Sequence, residues 1–259
     1  MMWRRRRSLV LLVLLMVSGF LTIKLVGDTE GVHADTAGTT DEKPSTAPPT
    51  TAVPDRAEPS TSSEPPEEPR VVEQGDGTWT YAEPPSHPPV LGDTGTLLTF
   101  NVAVEEGIDQ DVSEFTEVVT DTLGDDRSWT AGGQWRFTQA DGEEYVDFTV
   151  YLASPRTRAE LCGAADYYTS CRNGDAVVVN LERWLLGVPH WKGDLGTYRQ
   201  YVVNHEVGHR LGEGHMVCPK KGSPSPVMAQ QTLELRGCTE NPWPYVDGDY
   251  LTGPAGEYQ

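Results

Sequence analysis

His205-Glu206-Val207-Gly208-His209-Arg210-Leu211-Gly212-Glu213-Gly214-His215 is the stretch whose spacing decides the fold of this chain. It has the form H-E-x-x-H extended by x-x-G-x-x-H, three imidazoles and a carboxylate at the spacing of a catalytic zinc site. On an α-helix, positions i and i+4 share one face, so His205 and His209 can address one metal ion. His215 cannot join them if the helix continues. Ten residues at roughly 1.5 Å each would carry it about 15 Å along the axis, whereas nitrogen ligands sit about 2.0–2.1 Å from zinc. The helix is therefore expected to end near Gly212, where glycine accepts positive φ, and the chain to swing His215 back. Glu206, one residue past the first ligand, is placed to reach a water at the metal without being a ligand. The pentapeptide alone arises by chance in long helices; the eleven-residue form fixes five positions, and chance matches to it in so short a chain are rare.

Upstream, Thr197 and Gln200 stand in capping-box spacing at the head of the motif helix. Tyr198, Tyr201 and Val202 share a side with His205 and His209, while Val203, Val207 and Leu211 follow a nearly opposite side. A helix apolar on two flanks is expected between a sheet and a cleft. Before it, Thr96–Val104 reads as a strand, and Asp111–Leu123 as a helix with apolar positions at 112, 115, 118, 119 and 123. Trp135–Thr138 and Tyr145–Leu152 read as strands around an Ala140-Asp141-Gly142 turn. Ala176–Leu181 reads as a strand buried on both faces. The fold class expected is α/β (α+β): a mixed twisted sheet with an N-terminal helix, a central site-bearing helix and a loop-rich C-terminal part.

Of the 259 residues, not all are expected to belong to that fold. Residues 1–27 join Arg4-Arg5-Arg6-Arg7 to the apolar run Leu9–Ile23, the pattern of a signal peptide or of an uncleaved N-terminal membrane anchor. Val32-His33-Ala34 is a passable cleavage site. Residues 28–89, rich in Pro, Thr, Ser and Glu, are expected to form a disordered linker, a spacer or a propeptide. With no cysteine in 28–89, cysteine-type latency is excluded. The domain is then expected over 90–250, with a tail at 251–259. From residue 90 onward there are 26 Asp+Glu against 12 Lys+Arg, a balance that disfavours a nucleic-acid partner. Cys162, Cys171, Cys218 and Cys238 all fall in this domain, and an even count in an exported chain argues for two disulfides. Three pairings are open. Cys162–Cys171 and Cys218–Cys238 are expected because each closes a short loop.

The eleven-residue motif resembles the signature of the metzincin zinc endopeptidases. That resemblance implies a zincin-like fold and a tight turn carrying a methionine beneath the metal, for which Met228 in Ser225-Pro-Val-Met-Ala-Gln-Gln is the candidate. Asn180-Leu-Glu-Arg-Trp184, Tyr198–His209, Pro226–Thr232 and Cys238-Thr-Glu-Asn-Pro-Trp-Pro244 are similar to an exported zincin-like domain family of high-GC Gram-positive bacteria. That family is named for its likeness to peptidases, not for an established substrate. Several metzincin groups place an oxyanion-holding tyrosine two residues after the methionine. Here that position is Gln230, whose amide can donate a hydrogen bond instead, or the role falls to zinc alone; Tyr245 is a more distant candidate.

The expected activity is that of an exported zinc-dependent metalloendopeptidase, with metal ligands His205, His209 and His215 and with Glu206 as general base. Its substrate would be a polypeptide. A cell-wall peptide amidase and a catalytically silent, zinc-stabilised binding module are the alternatives, and the intact Glu206 speaks against the last. One Zn2+ is the expected cofactor. Asp247-Gly248-Asp249 is too short a pattern to assert calcium. A monomer is expected, secreted or anchored on the extracellular face of the bacterial cytoplasmic membrane. His33, His87 and His190 are expected to be solvated, and Trp243 to serve packing rather than the pocket.

Overall fold

The computed structural model describes residues 69–142, 145–163 and 166–258, all within the unit Ser62–Gln259; the unit Met1–Thr61 lies outside the described residues. The signal or anchor at 1–27, His33, and the linker as far as residue 68 are therefore outside them too. No helix among the described residues is long and apolar enough to cross a membrane.

Four strands run parallel: β2 (Thr96–Glu105), β3 (Trp135–Gln139), β4 (Phe148–Ala153) and β6 (Ala176–Asn180). Two short antiparallel strands complete a mixed sheet: β1 (Trp79–Tyr81) on β2, and β5 (Cys171–Asn173) on β6. Along one side of β2, β3 pairs with residues 96–100 and β1 with 103–105, while β4 occupies the other side from Phe100 onward. β3 and β4 are thus separated by β2, and the 140–142 turn leads across it instead of closing a hairpin.

Period-two alternation sends Phe100, Val102 and Val104 of β2, Val150 and Leu152 of β4, and Val177 and Val179 of β6 into one core. Helix α1 (Val112–Gly124) adds Phe115, Val119 and Leu123 to it, and its Asp111 cap accepts from the Ser113 and Glu114 N–H groups. Val178, although on the other face of β6, is also fully buried, as a continuous valine run requires. Two helices absent from the periodicity reading flank these strands: α2 (Pro155–Cys162), with proline in its first turn, and α3 (Leu181–Leu186), capped by Asn180. The motif helix α4 spans Leu195–Arg210, and Tyr198 and every residue from Tyr201 to Gly208 is buried. Its cap is Asp194, whose carboxylate accepts from the Thr197 N–H at 2.8 Å. The capping-box placement at Thr197 is thus one turn too late, because Thr197 already lies inside the first turn.

Both assumed domain edges move outward. At the N-terminal edge, Trp79–Tyr81 pairs with β2, the Trp79 ring meets Tyr151 edge-on at 4.5 Å, and the Gly75 N–H donates to Ser154 Oγ. Residues 69–89 are part of the fold: a few aromatic and ladder contacts offset a composition that otherwise reads as linker. At the C-terminal edge, the Val217 N–H donates to Pro254 O, the Gly256 N–H donates to His215 O, and Tyr258 is buried. The tail at 251–259 is integral to the domain as far as Tyr258.

Between α4 and that end, the chain has little regular structure apart from the hairpin β7 (Tyr245–Val246) and β8 (Asp249–Tyr250). Asp247-Gly248 is its two-residue turn, both residues at positive φ, so this pattern is accounted for by hairpin geometry. Side-chain amides take over the role of a ladder here. Gln231 Nε2 donates to Asn241 O while Gln231 Oε1 accepts from the Asn241 N–H, and Asn241 Nδ2 donates to Ser225 O and Trp243 O. Disulfides join Cys162 to Cys171 and Cys218 to Cys238, with Cα separations of 6.4 and 5.7 Å. Such bonds fit an oxidising compartment.

Candidate metal centre

Helix α4 ends in a glycine stop. Gly212 has φ +98°, the Glu213 N–H returns to Gly208 O at 2.9 Å, and the Gly212 N–H returns to His209 O at 3.2 Å. This is the Schellman arrangement, in which residues past the helix satisfy its last carbonyls. It reverses the chain within three residues and brings His215 back against His209.

The three rings converge. His209 Nε2 lies 3.2 Å from His205 Nε2 and 3.0 Å from His215 Nε2, and the three form a group able to hold a metal ion. Each Nδ1 faces an oxygen instead: His205 the Val227 carbonyl at 2.8 Å, His209 the Glu213 carbonyl at 2.9 Å, His215 the Glu257 carboxylate at 3.2 Å. Carbonyls and carboxylates only accept, so each Nδ1 is the donor, and in the neutral ring that ligation requires each Nε2 is then a bare lone pair. Three lone pairs aimed at one point repel unless a cation stands between them. Nitrogens bound at about 2.05 Å with tetrahedral angles lie about 3.3 Å apart, close to the spacings here. Burial, followed by the neighbouring imidazole, holds the His205 pKa well below its ordinary value, and burial is also the main cause of the lowering at His209. Both are neutral as ligation requires.

The turn Pro226–Ala229, closed by the Ala229 N–H on Pro226 O, supplies the carbonyl that orients His205 and carries the fully buried Met228. A Cβ on Gly208 would sit 2.4 Å from Met228 Sδ and 2.6 Å from a Trp129 ring carbon. The glycine inside the histidine motif therefore permits the close approach of this turn to the helix. Tyr201 adds a second tie: its hydroxyl donates to Ala229 O and accepts from the Gln231 N–H.

A cavity of about 580 Å³ opens over the triad. Glu206, Tyr201, Gln230, Arg158 and Arg172 line it beside the histidines. Glu206 is buried, and desolvation pushes its carboxyl up to about 8 against the pull of the Arg158 charge. Arg158, buried on α2, donates to Thr169 Oγ1 and Ser170 O and pairs with Asp166, so it clamps the 166–170 loop as well as facing the cavity. Gln230 Oε1 accepts the Tyr258 N–H at 2.7 Å. A backbone N–H demands the oxygen end of the amide, which leaves the Gln230 NH2 without a hydrogen-bond partner among the described residues.

Tyr245 is not among the cavity-lining residues. It sits on β7 with its ring beside Tyr250 and its N–H on Arg127 O. The reason is the Asp247-Gly248 hairpin, which commits the 245–250 segment to its own small sheet. Trp243 is buried beneath the Arg127 guanidinium, away from the cavity. His87 is exposed, whereas His190 is half-buried and bonded through Nε2 to Gln231 O. Val227 O, Glu213 O, Glu257, Arg158 and Arg172 escaped the sequence-based expectation. Two of these are backbone carbonyls, and the others lie far from the motif in sequence with no spacing to mark them.

A family model described as "Protein of unknown function (DUF3152)" matches residues 65–242. The chain belongs to that family. The DUF3152 match contains the three histidines, Glu206 and Met228, begins before β1, and stops short of the hairpin and the segment bearing Glu257. No curated protein and no solved structure matches the chain.

Proposed function

We propose that this DUF3152 protein is an exported zinc-dependent metalloendopeptidase of metzincin type, with His205, His209 and His215 holding the metal and Glu206 as general base. The observation that carries the reading is the convergence of three Nε2 lone pairs whose Nδ1 protons are each fixed by a separate oxygen. A purely structural histidine cluster has no need of three matched tautomers. Three imidazoles are also the donor set of a hydrolytic zinc site, which keeps its fourth position open. Bound there, zinc supplies Lewis acidity and lowers the pKa of water to about 7.

The chain's own groups do the rest. Glu206 lines the same cavity; a divalent cation held by the histidines beside it would offset the desolvation that raises its pKa and favour the carboxylate, which can take the proton of the attacking water and hand it to the leaving amine. The NH2 of Gln230 is the amide donor for the oxygen that gains charge, in the position where several groups of the metzincins that the motif resembles place a tyrosine. The arginine-led apolar N-terminus and the two disulfides support the exported part of this reading.

The test is incubation of the full chain with unfolded casein and with peptidoglycan, with and without a chelator. Chelator-sensitive casein products are expected. Products from peptidoglycan alone would reassign the site to cell-wall peptides, and no product from either would leave a metal-stabilised binding module. Glu206→Gln should keep the metal and lose hydrolysis; hydrolysis that persists in this variant contradicts the role given to Glu206.

A further inference from the structure

We infer that the segment Gly253–Tyr258 is a working part of the metal centre, with Glu257 as a positioning residue for His215. This rests on the reading of the triad as a metal site and adds to it a group beyond the motif and beyond the DUF3152 match. His215 differs from its two partners. His205 and His209 stand on a helix, and their Nδ1 acceptors are carbonyls of the chain nearby in space. His215 lies past the helix end, half-buried, and its Nδ1 acceptor is a carboxylate 42 residues further along.

Glu257 is itself exposed, with a side-chain accessibility of 74%, so burial does not place it. The backbone does. Gly256 N–H donates to His215 O, Val217 N–H donates to Pro254 O, and Met216 bridges Ala255, so the segment runs beside the third ligand as a short strap. Tyr258 locks its end: the ring is buried, its hydroxyl accepts from the Cys218 N–H at 2.9 Å, and Arg236 lies over its face. Cys218 in turn is held by its bond to Cys238. The anchor thus runs from a disulfide through Tyr258 to Glu257 and then to the ligand. A carboxylate on the far nitrogen of a metal-bound imidazole fixes the ring and raises its basicity, and loss of such a partner typically weakens metal binding about 10–100-fold.

The experiment measures zinc affinity of the full chain by competition with a chromophoric chelator, alongside thermal unfolding of the metal-free protein. Glu257→Ala is expected to bind zinc at least 10-fold more weakly, with metal-free unfolding unchanged because the residue is exposed. Glu257→Gln keeps an acceptor oxygen and should fall between wild type and Glu257→Ala. Tyr258→Ala, which leaves Glu257 in place but removes its anchor, should weaken zinc as Glu257→Ala does. Wild-type affinity in Glu257→Ala overturns the inference and leaves the peptidase reading standing. A folded wild-type chain that takes up no zinc overturns both.

Discussion

Helix α4 and the irregular arm from Gly212 to Tyr258 build the candidate metal site together, and by opposite means. The helix presents His205, Glu206 and His209 through its own periodicity, and its backbone groups are satisfied within it. The arm has almost no ladder. It is held by the amides of Gln231 and Asn241, a disulfide and a helix stop at Gly212, yet it supplies the third histidine and an oxygen acceptor for every ring. The helix fixes where two ligands stand, while the arm fixes how all three are turned.

The largest expected effects come from the ligands on the two sides of this division. His209→Ala and His215→Ala should each lose bound metal and all hydrolysis, measured by elemental analysis and peptide release. Retention of full metal by His215→Ala would mean that the arm contributes orientation only. Next comes the joint between the regions. Gly208→Ala adds a methyl against Met228 and Trp129, and overpacking of this kind costs about 1–3 kcal/mol. Alanine is intrinsically the better helix residue by about 1 kcal/mol. A denaturant titration showing net destabilisation would thus put the contact with the arm above helix propensity, and a net gain would show the turn to be loosely seated.

A smaller effect is expected at the helix start. Asp194→Ala removes the N-cap and should cost about 1 kcal/mol in the same titration, with metal content unchanged. The smallest concerns the 166–170 loop. Burial alone would raise the Asp166 carboxyl, but hydrogen bonds from Thr169 and Tyr168 and the Arg158 charge bring it below its ordinary value of 3.8. A depressed acid contributes stability that is present above its unfolded pKa and is lost as pH falls through the folded one. The melting-temperature difference between wild type and Asp166→Asn should therefore be constant near neutrality and shrink only below about pH 3.8. A difference that instead grows on acidification contradicts this assignment.

The same division explains what the sequence disclosed. The histidine pair, the glycine stop and the return of His215 follow from helical rise and bond length, and the buried valine run of β6 follows from its composition. Strand β1 was hidden because three residues in a proline-rich stretch carry no pattern, although Trp79 and Tyr81 are its only aromatics nearby. The acceptors at Val227 and Glu213 are main-chain oxygens, which no side-chain identity betrays. Glu257 looked like part of a tail because an exposed glutamate near a chain end has no periodic signature. Tyr245 illustrates the converse: its residue type suited the chemistry, but the Asp247-Gly248 turn commits it to a hairpin.

The central claim is that three imidazoles, two from the helix and one from the arm, grip a single ion. Elemental analysis of the folded, dialysed full chain tests it most directly. One zinc per chain in the wild type, and none in His209→Ala, is the predicted result. A wild-type chain that is folded, with both disulfides formed, and free of metal after exposure to zinc would contradict it.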